Sequence, residues 1–255
     1  MTTDDAGWIR PDWPVPPGVH ALITTRGGGV SIGPWGVPPE KAAGLNLGFL
    51  SGDAEEAVRR NRAVLRSFLP SDPRWLKQVH GPMVVRADDV QPGTEADAAF
   101  TTTPGVVPAV MVADCMPVLL VEEDGKCVGV AHAGWRGLAS GVIQATVRAM
   151  RQALGRSDAR FIAYLGPAIG PDHFEVGPEV REAMAASLPH GTEAFRPQGS
   201  KYLADLFRLG RQALQEVGVT RVHGGGECTF CNPRRFYSFR RDGTTGRHAA
   251  LIWFD

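Results

Sequence analysis

Apolar positions along this chain of 255 residues fall mostly into short runs bounded by Gly, Pro and Asp. Four stretches show helical spacing instead. Asp53-Ala-Glu-Glu56 has the pattern of a capping box and predicts a helix to about Leu69, with Val58, Leu65 and Leu69 on one face and Pro70 as the stop. Leu138, Val142, Ala145 and Ala149 predict a second helix, from about Gly137 to Gly155. A short third helix is expected over Glu179–Leu188. Asp205 is placed to cap a fourth, with Leu206, Leu209, Ala213 and Val217 inward and Gly218 ending it.

The short runs predict strands at Ala21–Thr25, Trp75–Val79, Met83–Arg86, Val106–Val112, Val118–Val121, Cys127–Ala131, Phe161–Leu165, Arg221–His223 and Ala250–Phe254. They come in clusters rather than alternating strictly with helices. That favours an α+β fold over a doubly wound parallel sheet. No repeat or linker divides the chain, so residues 1–255 are expected to form a single domain.

Composition narrows the function. Hydrophobic residues make up 43% and charged residues 21%, as in an ordinary globular protein. The 27 basic and 27 acidic side chains cancel, which argues against nucleic acid or an anionic membrane as partner. The start, MTTDDAGWIRPD, is acidic and polar, unlike a signal peptide. The longest apolar run, Val106–Val121, is interrupted by Pro108, Asp114 and Pro117 and is too short to span a bilayer. Four cysteines are too few for a disulfide scaffold. A cytoplasmic enzyme or binding protein is the expectation.

Chemistry concentrates around Val112-Ala-Asp-Cys-Met-Pro-Val-Leu-Leu-Val121. Glu122-Glu-Asp-Gly125 is a turn signal, so Pro117–Ala131 predicts a β-hairpin. The centre of that turn lies midway between Cys115 and His132. In a symmetric register the two residues face each other, with Cβ atoms roughly 4.5–5.5 Å apart. Ala133-Gly-Trp-Arg-Gly137 then feeds a helix start, a place suited to an anion, with Arg136 as a charge-assisted donor. Lys77-Gln-Val-His80-Gly81 supplies a second histidine where a strand meets a turn. His80, Cys115 and His132 together make three protein ligands with a fourth position open, the catalytic zinc arrangement. On spacing alone, the reading of Cys115 as a small core residue beside two satisfied strand-end histidines stands slightly ahead.

The chain resembles the laccase-domain family, also called multicopper polyphenol oxidase or YfiH-like proteins. The resemblance runs almost end to end. It is carried by Thr25-Arg-Gly-Gly-Gly-Val-Ser31, Leu45-Asn-Leu-Gly48, Gln78-Val-His-Gly81, Ala113-Asp-Cys-Met-Pro117 and Ala131-His-Ala-Gly-Trp-Arg-Gly137. Leu165-Gly-Pro-Ala-Ile-Gly170, Glu175-Val-Gly177, Cys228-Thr-Phe-Cys231 and Phe239-Arg-Arg-Asp-Gly243 continue it, followed by Thr245-Gly-Arg247 and Leu251-Ile-Trp253. It implies a layered α/β/β/α domain with mixed sheets, and a metal site at His80, Cys115 and His132. It also makes Asp114 a candidate catalytic residue, and Arg26, Asn46, Gln78 and Arg136 candidates for binding substrate. Two departures stand out: Gly33–Lys41 looks inserted, and Asp172-His-Phe174 stands where the family more often has a Cys and a Tyr.

Three activities compete, the nucleoside, editing and oxidase readings being implied by the resemblance and a metal-free Cys–His hydrolase by the residues themselves. The first is purine nucleoside chemistry: phosphorolysis of adenosine, inosine and methylthioadenosine, and adenosine deamination. Zinc is the expected cofactor, copper also being compatible, and a nucleoside and phosphate are the small-molecule partners. The second is a Cys–His hydrolase, with Cys115 as nucleophile and His132 as base, or an enzyme editing peptidoglycan precursors. The third is a copper-dependent polyphenol oxidase. Seven histidines and no His-x-His pair argue against a full multicopper architecture. Met116, adjacent to Cys115, should point away from it in a regular strand.

Other features read as structural. Cys228-Thr-Phe-Cys231 has redox or zinc-knuckle spacing but no second cysteine pair. It is expected to be a structural thiol pair near the pocket, with a redox switch as the minor alternative. Gly27-Gly-Gly29 and Gly224-Gly-Gly226 fit no nucleotide motif and predict turns. His20, His173, His190, His223 and His248 are expected at surfaces or turns.

Overall fold

The computed structural model describes residues 7–255; the opening six residues of the stretch read above as non-targeting lie outside them. The strands run in chain order β1 Val19–Ile23, β2 Gly27–Ser31, β3 Pro73–Trp75, β4 Val84–Arg86, β5 Ala98–Thr101, β6 Val107–Val112 and β7 Met116–Glu122. They continue as β8 Val128–Ala133, β9 Phe161–Leu165, β10 Glu175–Val176, β11 Phe195–Gln198, β12 Lys201–Ala204, β13 Arg221–Gly224 and β14 His248–Phe254. The helices are α1 Glu55–Arg66, α2 Trp135–Ala139, α3 Val142–Leu154, α4 Pro178–Ser187, α5 Leu206–Glu216 and α6 Phe239–Asp242.

Two mixed sheets form the centre of an α+β fold. One has the order β1-β14-β6-β3 and the other β13-β9-β7-β8-β5-β4. A small sheet, β10-β12-β11, stands apart from both. Between the large sheets lies an apolar layer that includes Ile23, Val110, Ala250 and Ile252 from the first, and Ala99, Leu119, Val121 and Val130 from the second. The outer face of the six-stranded sheet packs under α3 and α5 through Val118, Leu120, Ala131, Val147, Leu209 and Ala213. Leu65 of α1 and nearby Leu69 cover the outer face of the other sheet with Leu22, Ala109 and Leu251. The result is the expected α/β/β/α layering. Each fully buried aliphatic side chain in these layers contributes roughly 1.5–3 kcal/mol of transfer free energy. Among the described residues, no helix is long and apolar enough to cross a membrane.

Several predicted elements shift for identifiable reasons. The capping box does not form: Ala54 is the N-cap of α1, without a side-chain bond. Asp53 is drawn into a tertiary network instead, its Oδ2 accepting from Ser31 Oγ at 2.6 Å and from Asn46 Nδ2 at 3.0 Å. The helix predicted from Gly137 begins at Trp135 and breaks into α2 and α3 at Gly141, whose φ is +79°. Asp205 caps α5 as expected, its side chain accepting from the backbone N–H of Arg208 at 3.0 Å.

The predicted strand Trp75–Val79 stops at Trp75, because the chain there leaves one sheet for the other. The Gln78 side chain takes its place beside β6, donating to Met111 O and accepting from Met111 N, both at 2.8 Å. The main chain meanwhile pairs across, Lys77 N donating to Thr94 O and Ala96 N to Lys77 O. This crossing brings His80 beside Asp97 and His132.

The hairpin forms, but its register is shifted. Pro117, not Cys115, faces His132, and Met116 faces Ala133. The turn is closed by Glu122 N donating to Cys127 O, with Gly125 in the left-handed region at φ +74°, so its centre falls later than expected. Cys115 therefore precedes β7 rather than lying within it.

Candidate metal centre

Despite the shifted register, His80, Cys115 and His132 converge, their ligand atoms all within 4.8 Å of one another. Each is delivered differently. His132 lies on the last turn-ward stretch of β8 and is buried. Cys115 is half-buried in the turn after Asp114, a non-glycine residue held at φ +91°. His80 is exposed, also in the left-handed region at φ +62°, and its ring meets that of His132 edge-on with centroids 4.8 Å apart. Such backbone outliers persist only where surroundings over-determine them.

The surroundings are visible. Asp97, fully buried, accepts from the backbone N–H groups of Val79, His80 and Gly81 at 2.8–3.1 Å. The same carboxylate lies 2.8 Å from His132 Nδ1. One side chain thus fixes the loop that carries His80 and orients the ring of His132, leaving its Nε2 for the ligand position. Burial works to raise Asp97, but the His132 hydrogen bond and the loop amides outweigh it and hold the carboxyl below its usual range.

Asp114 is held on the other side. Its Oδ1 accepts from Thr229 Oγ1 at 2.6 Å and its Oδ2 from Arg240 N at 2.7 Å. Room for the sulfur comes from Gly134, the N-cap of α2: a Cβ there would sit 2.7 Å from Cys115 Sγ and 3.6 Å from the His80 ring. Burial alone would push the Cys115 thiol up, yet His132 and His80 beside it bring it down to about 6. Burial likewise works against a charged His132, and the Cys115 sulfur and Asp97 lift it to about 9. The pair favours a thiolate beside an imidazolium when no metal is present.

Two imidazoles and a thiolate, converging on one open point with a carboxylate behind one imidazole, fit a zinc-type ion at bond lengths of roughly 2.0–2.3 Å. Met116 does not belong to the set. It is fully buried in the core under α5, where its Cε lies 2.4 Å from the position a Cβ on Gly210 would take. It supplies no axial ligand for a blue-copper centre.

The other candidates are distributed as follows. Arg136, exposed on the first turn of α2, lies over the Trp135 ring at 4.4 Å and makes no ion pair among the described residues. Asn46 is fully buried and accepts through Oδ1 from Gly48 N and Arg247 N, so it braces the segment carrying Arg247. Gln78 is committed to Met111, as above. Arg26 is 4% exposed, and its guanidinium donates to Gly36 O, Pro34 O, Pro233 O and Asp242 Oδ2. It pins together the loops that carry Pro34, Gly36, Pro233 and Asp242.

Sequence reasoning missed Asp97, Arg247 and His248. Asp97 was detectable as a lone carboxylate inside the run Ala96–Phe100. Arg247 lies within electrostatic reach of Cys115 and Asp114, which oppose the lowering of its basicity by burial. His248, expected at a surface, is instead fully buried in β14, because that strand is covered on both faces.

Comparison with known proteins places these features in context. A family model described as multi-copper polyphenol oxidoreductase laccase matches residues 20–255. A Pseudomonas aeruginosa protein named purine nucleoside phosphorylase is 47% identical over 96% of this chain and 98% of its own length. The purine nucleoside phosphorylase YfiH of Escherichia coli K12 is 46% identical with the same coverage. Among solved structures, a Neisseria meningitidis protein superposes with a TM-score of 0.88 at 46% identity, covering 97% of this chain and 99% of that one. YlmD from Geobacillus stearothermophilus gives 0.86 at 33% identity, covering 97% and 96%.

Proposed function

Because the chain belongs to the multi-copper polyphenol oxidoreductase laccase family, whose curated relatives carry the name purine nucleoside phosphorylase, we propose that it is a purine nucleoside enzyme working at His80, Cys115 and His132. Its reactions are phosphorolysis of adenosine, inosine and methylthioadenosine, and deamination of adenosine. The observation that carries the reading is the convergence of the three ligands around a point backed by Asp97.

In phosphorolysis a phosphate oxygen bonds to the ribose C1′ as the bond to the base nitrogen breaks, and the base takes up a proton. In deamination water adds at C6 of adenine and ammonia leaves. A zinc ion held by His80, Cys115 and His132 supplies Lewis acidity when bound. The chain does the rest. Arg136, exposed on α2, and Arg247, within electrostatic reach of Cys115 and Asp114, supply the positive charge that an incoming phosphate needs. Asp97 keeps His132 in one tautomer. Asp114, held by Thr229 and Arg240, fixes the direction in which Cys115 points. The setting we propose is a cytoplasmic one, where nucleosides and phosphate are both available.

A second reading has one observation in its favour. Cys115 lies close to His132, which brings the thiol down and is itself lifted, the arrangement that a Cys–His hydrolase uses to activate a thiolate. Nucleoside turnover by Cys115→Ser and Arg136→Ala, assayed with and without phosphate, separates the readings. Cys115→Ser should lose metal, phosphorolysis and deamination together. Arg136→Ala should keep the metal and lose mainly the phosphate-dependent reaction. A wild type whose activity survives complete chelation supports the hydrolase; turnover that requires copper and dioxygen and ignores phosphate supports the oxidase.

A further inference from the structure

A second group of soft ligands lies outside the site described above. His173, Cys228 and Cys231 bring their ligand atoms within 4.8 Å of one another. The sequence offered Cys228-Thr-Phe-Cys231 without a partner pair; the fold supplies the partner, a histidine from the turn that follows β9. These residues line a cavity of about 510 Å³, with Asp172, Arg208 and Arg211 among its other walls.

The knuckle between the cysteines is built rather than loose. Arg241 Nη1 donates to Thr229 O at 2.8 Å and to Phe230 O at 2.9 Å, holding both intervening carbonyls. Thr229 N donates to Ala168 O at 2.9 Å. The His173 ring stacks on Phe230 at 4.3 Å with 14° between planes, which fixes its direction toward the cysteines. Gly170 N donates to Cys228 Sγ at 3.2 Å, a hydrogen bond that helps to hold the sulfur in place. A Cβ on Gly170 would sit 3.1 Å from that sulfur, so the close approach uses the glycine. All four cysteines are free thiols.

We propose that His173, Cys228 and Cys231 form a second metal site for a borderline-soft divalent cation of the zinc class, with its fourth position open to the cavity. Two thiolates and one imidazole select zinc over magnesium or calcium, which prefer oxygen ligands. The C-x-x-C spacing puts both sulfurs at one end of a tight turn, and the stacked histidine closes the third corner. The site also touches the first one. Thr229, inside the knuckle, donates through Oγ1 to Asp114, and Ile169 N, adjacent to Gly170, donates to Asp114 O. Metal here stiffens the support of the residue that precedes Cys115.

The test is a zinc titration of the full chain after reduction and removal of metal, with bound zinc counted by mass spectrometry. Two equivalents per chain are expected for the wild type. One is expected for Cys231→Ser and for His173→Phe, the latter keeping the stack on Phe230 while removing the ligand. Unmutated protein gives an independent readout, since Cys231 is exposed: alkylation at that residue should slow at least about tenfold as the second equivalent binds, because the free thiolate is the reactive species. A single wild-type equivalent that both variants retain, together with unchanged alkylation of Cys231, overturns the site. So does recovery of Cys228 and Cys231 as a disulfide from zinc-containing buffer with reductant present.

Discussion

Asp97 shows how much a single buried residue can decide at this site. Its two oxygens hold three consecutive backbone amides of the His80 loop and the Nδ1 side of His132. Asp97→Asn keeps the shape but gives up the charge and an acceptor. Zinc affinity, measured by competition with a chromophoric chelator, should fall about 10–100-fold, the usual effect of removing a partner behind a metal-binding histidine. Gly134→Ala acts from the opposite side. Its added Cβ, 2.7 Å from Cys115 Sγ, displaces the sulfur, so metal and nucleoside turnover should both drop while the thermal midpoint stays near that of the wild type. Wild-type zinc content in the Gly134→Ala protein contradicts this geometry. At this scale the sequence was informative about ligands and poor about their supports. His80, Cys115 and His132 stand in distinctive motifs, whereas Asp97 is marked only as a lone carboxylate beside alanines, and three of its contacts are to backbone amides that no side-chain pattern reports.

Elements were legible where one periodicity ruled and obscure where two competed. Phe161–Leu165 and the cap of α5 follow directly from local pattern. β5, at Ala98–Thr101, opens on two alanines of weak strand preference and is stabilised by its neighbours β8 and β4. β11 and β12 carry charged, exposed positions and form an outlying sheet. The break between α2 and α3 was hidden because Leu138 and Val142 keep helical spacing across it. Gly141, at φ +79° and with only the Gln144 side chain, at an ordinary contact distance of 3.7 Å, near its missing Cβ, absorbs the turn. Gly141→Ala should therefore cost about 1–2 kcal/mol from left-handed strain alone. Urea unfolding checks this, and an unchanged midpoint means that the two helices can join. The hairpin teaches the same lesson about register: a turn of four polar residues identifies the hairpin but not the pair of strand residues that face each other across it.

Across the whole molecule, stability should depend on pH through His248. This histidine is fully buried in β14 with neither ring nitrogen hydrogen-bonded among the described residues, packed against Phe236 and Tyr237. Burial, with the nearby Arg247 charge added, depresses it to about 3. The unfolded chain takes up the proton near pH 6.5, but the folded chain refuses it. The contribution is thus fully present above about pH 6.5 and is lost as pH falls from there toward 3. Over that window this residue adds a slope of up to about 1.4 kcal/mol per pH unit, and His248→Phe should remove it. Urea midpoints for both proteins at pH 7 and pH 5 give the comparison, and parallel losses in the two would assign the acid sensitivity elsewhere. The layered architecture is what makes such a residue tolerable, since a strand covered on both faces leaves no side open to water.

The dependence of nucleoside turnover on a metal held by His80, Cys115 and His132 belongs to the proposed function. It is tested most directly by following inosine cleavage by wild-type protein with phosphate present, before chelation, after complete metal removal, and after zinc is restored. The rate should vanish with the metal and return with zinc in proportion to occupancy of this site. Cleavage at full rate by the metal-free protein would contradict that dependence.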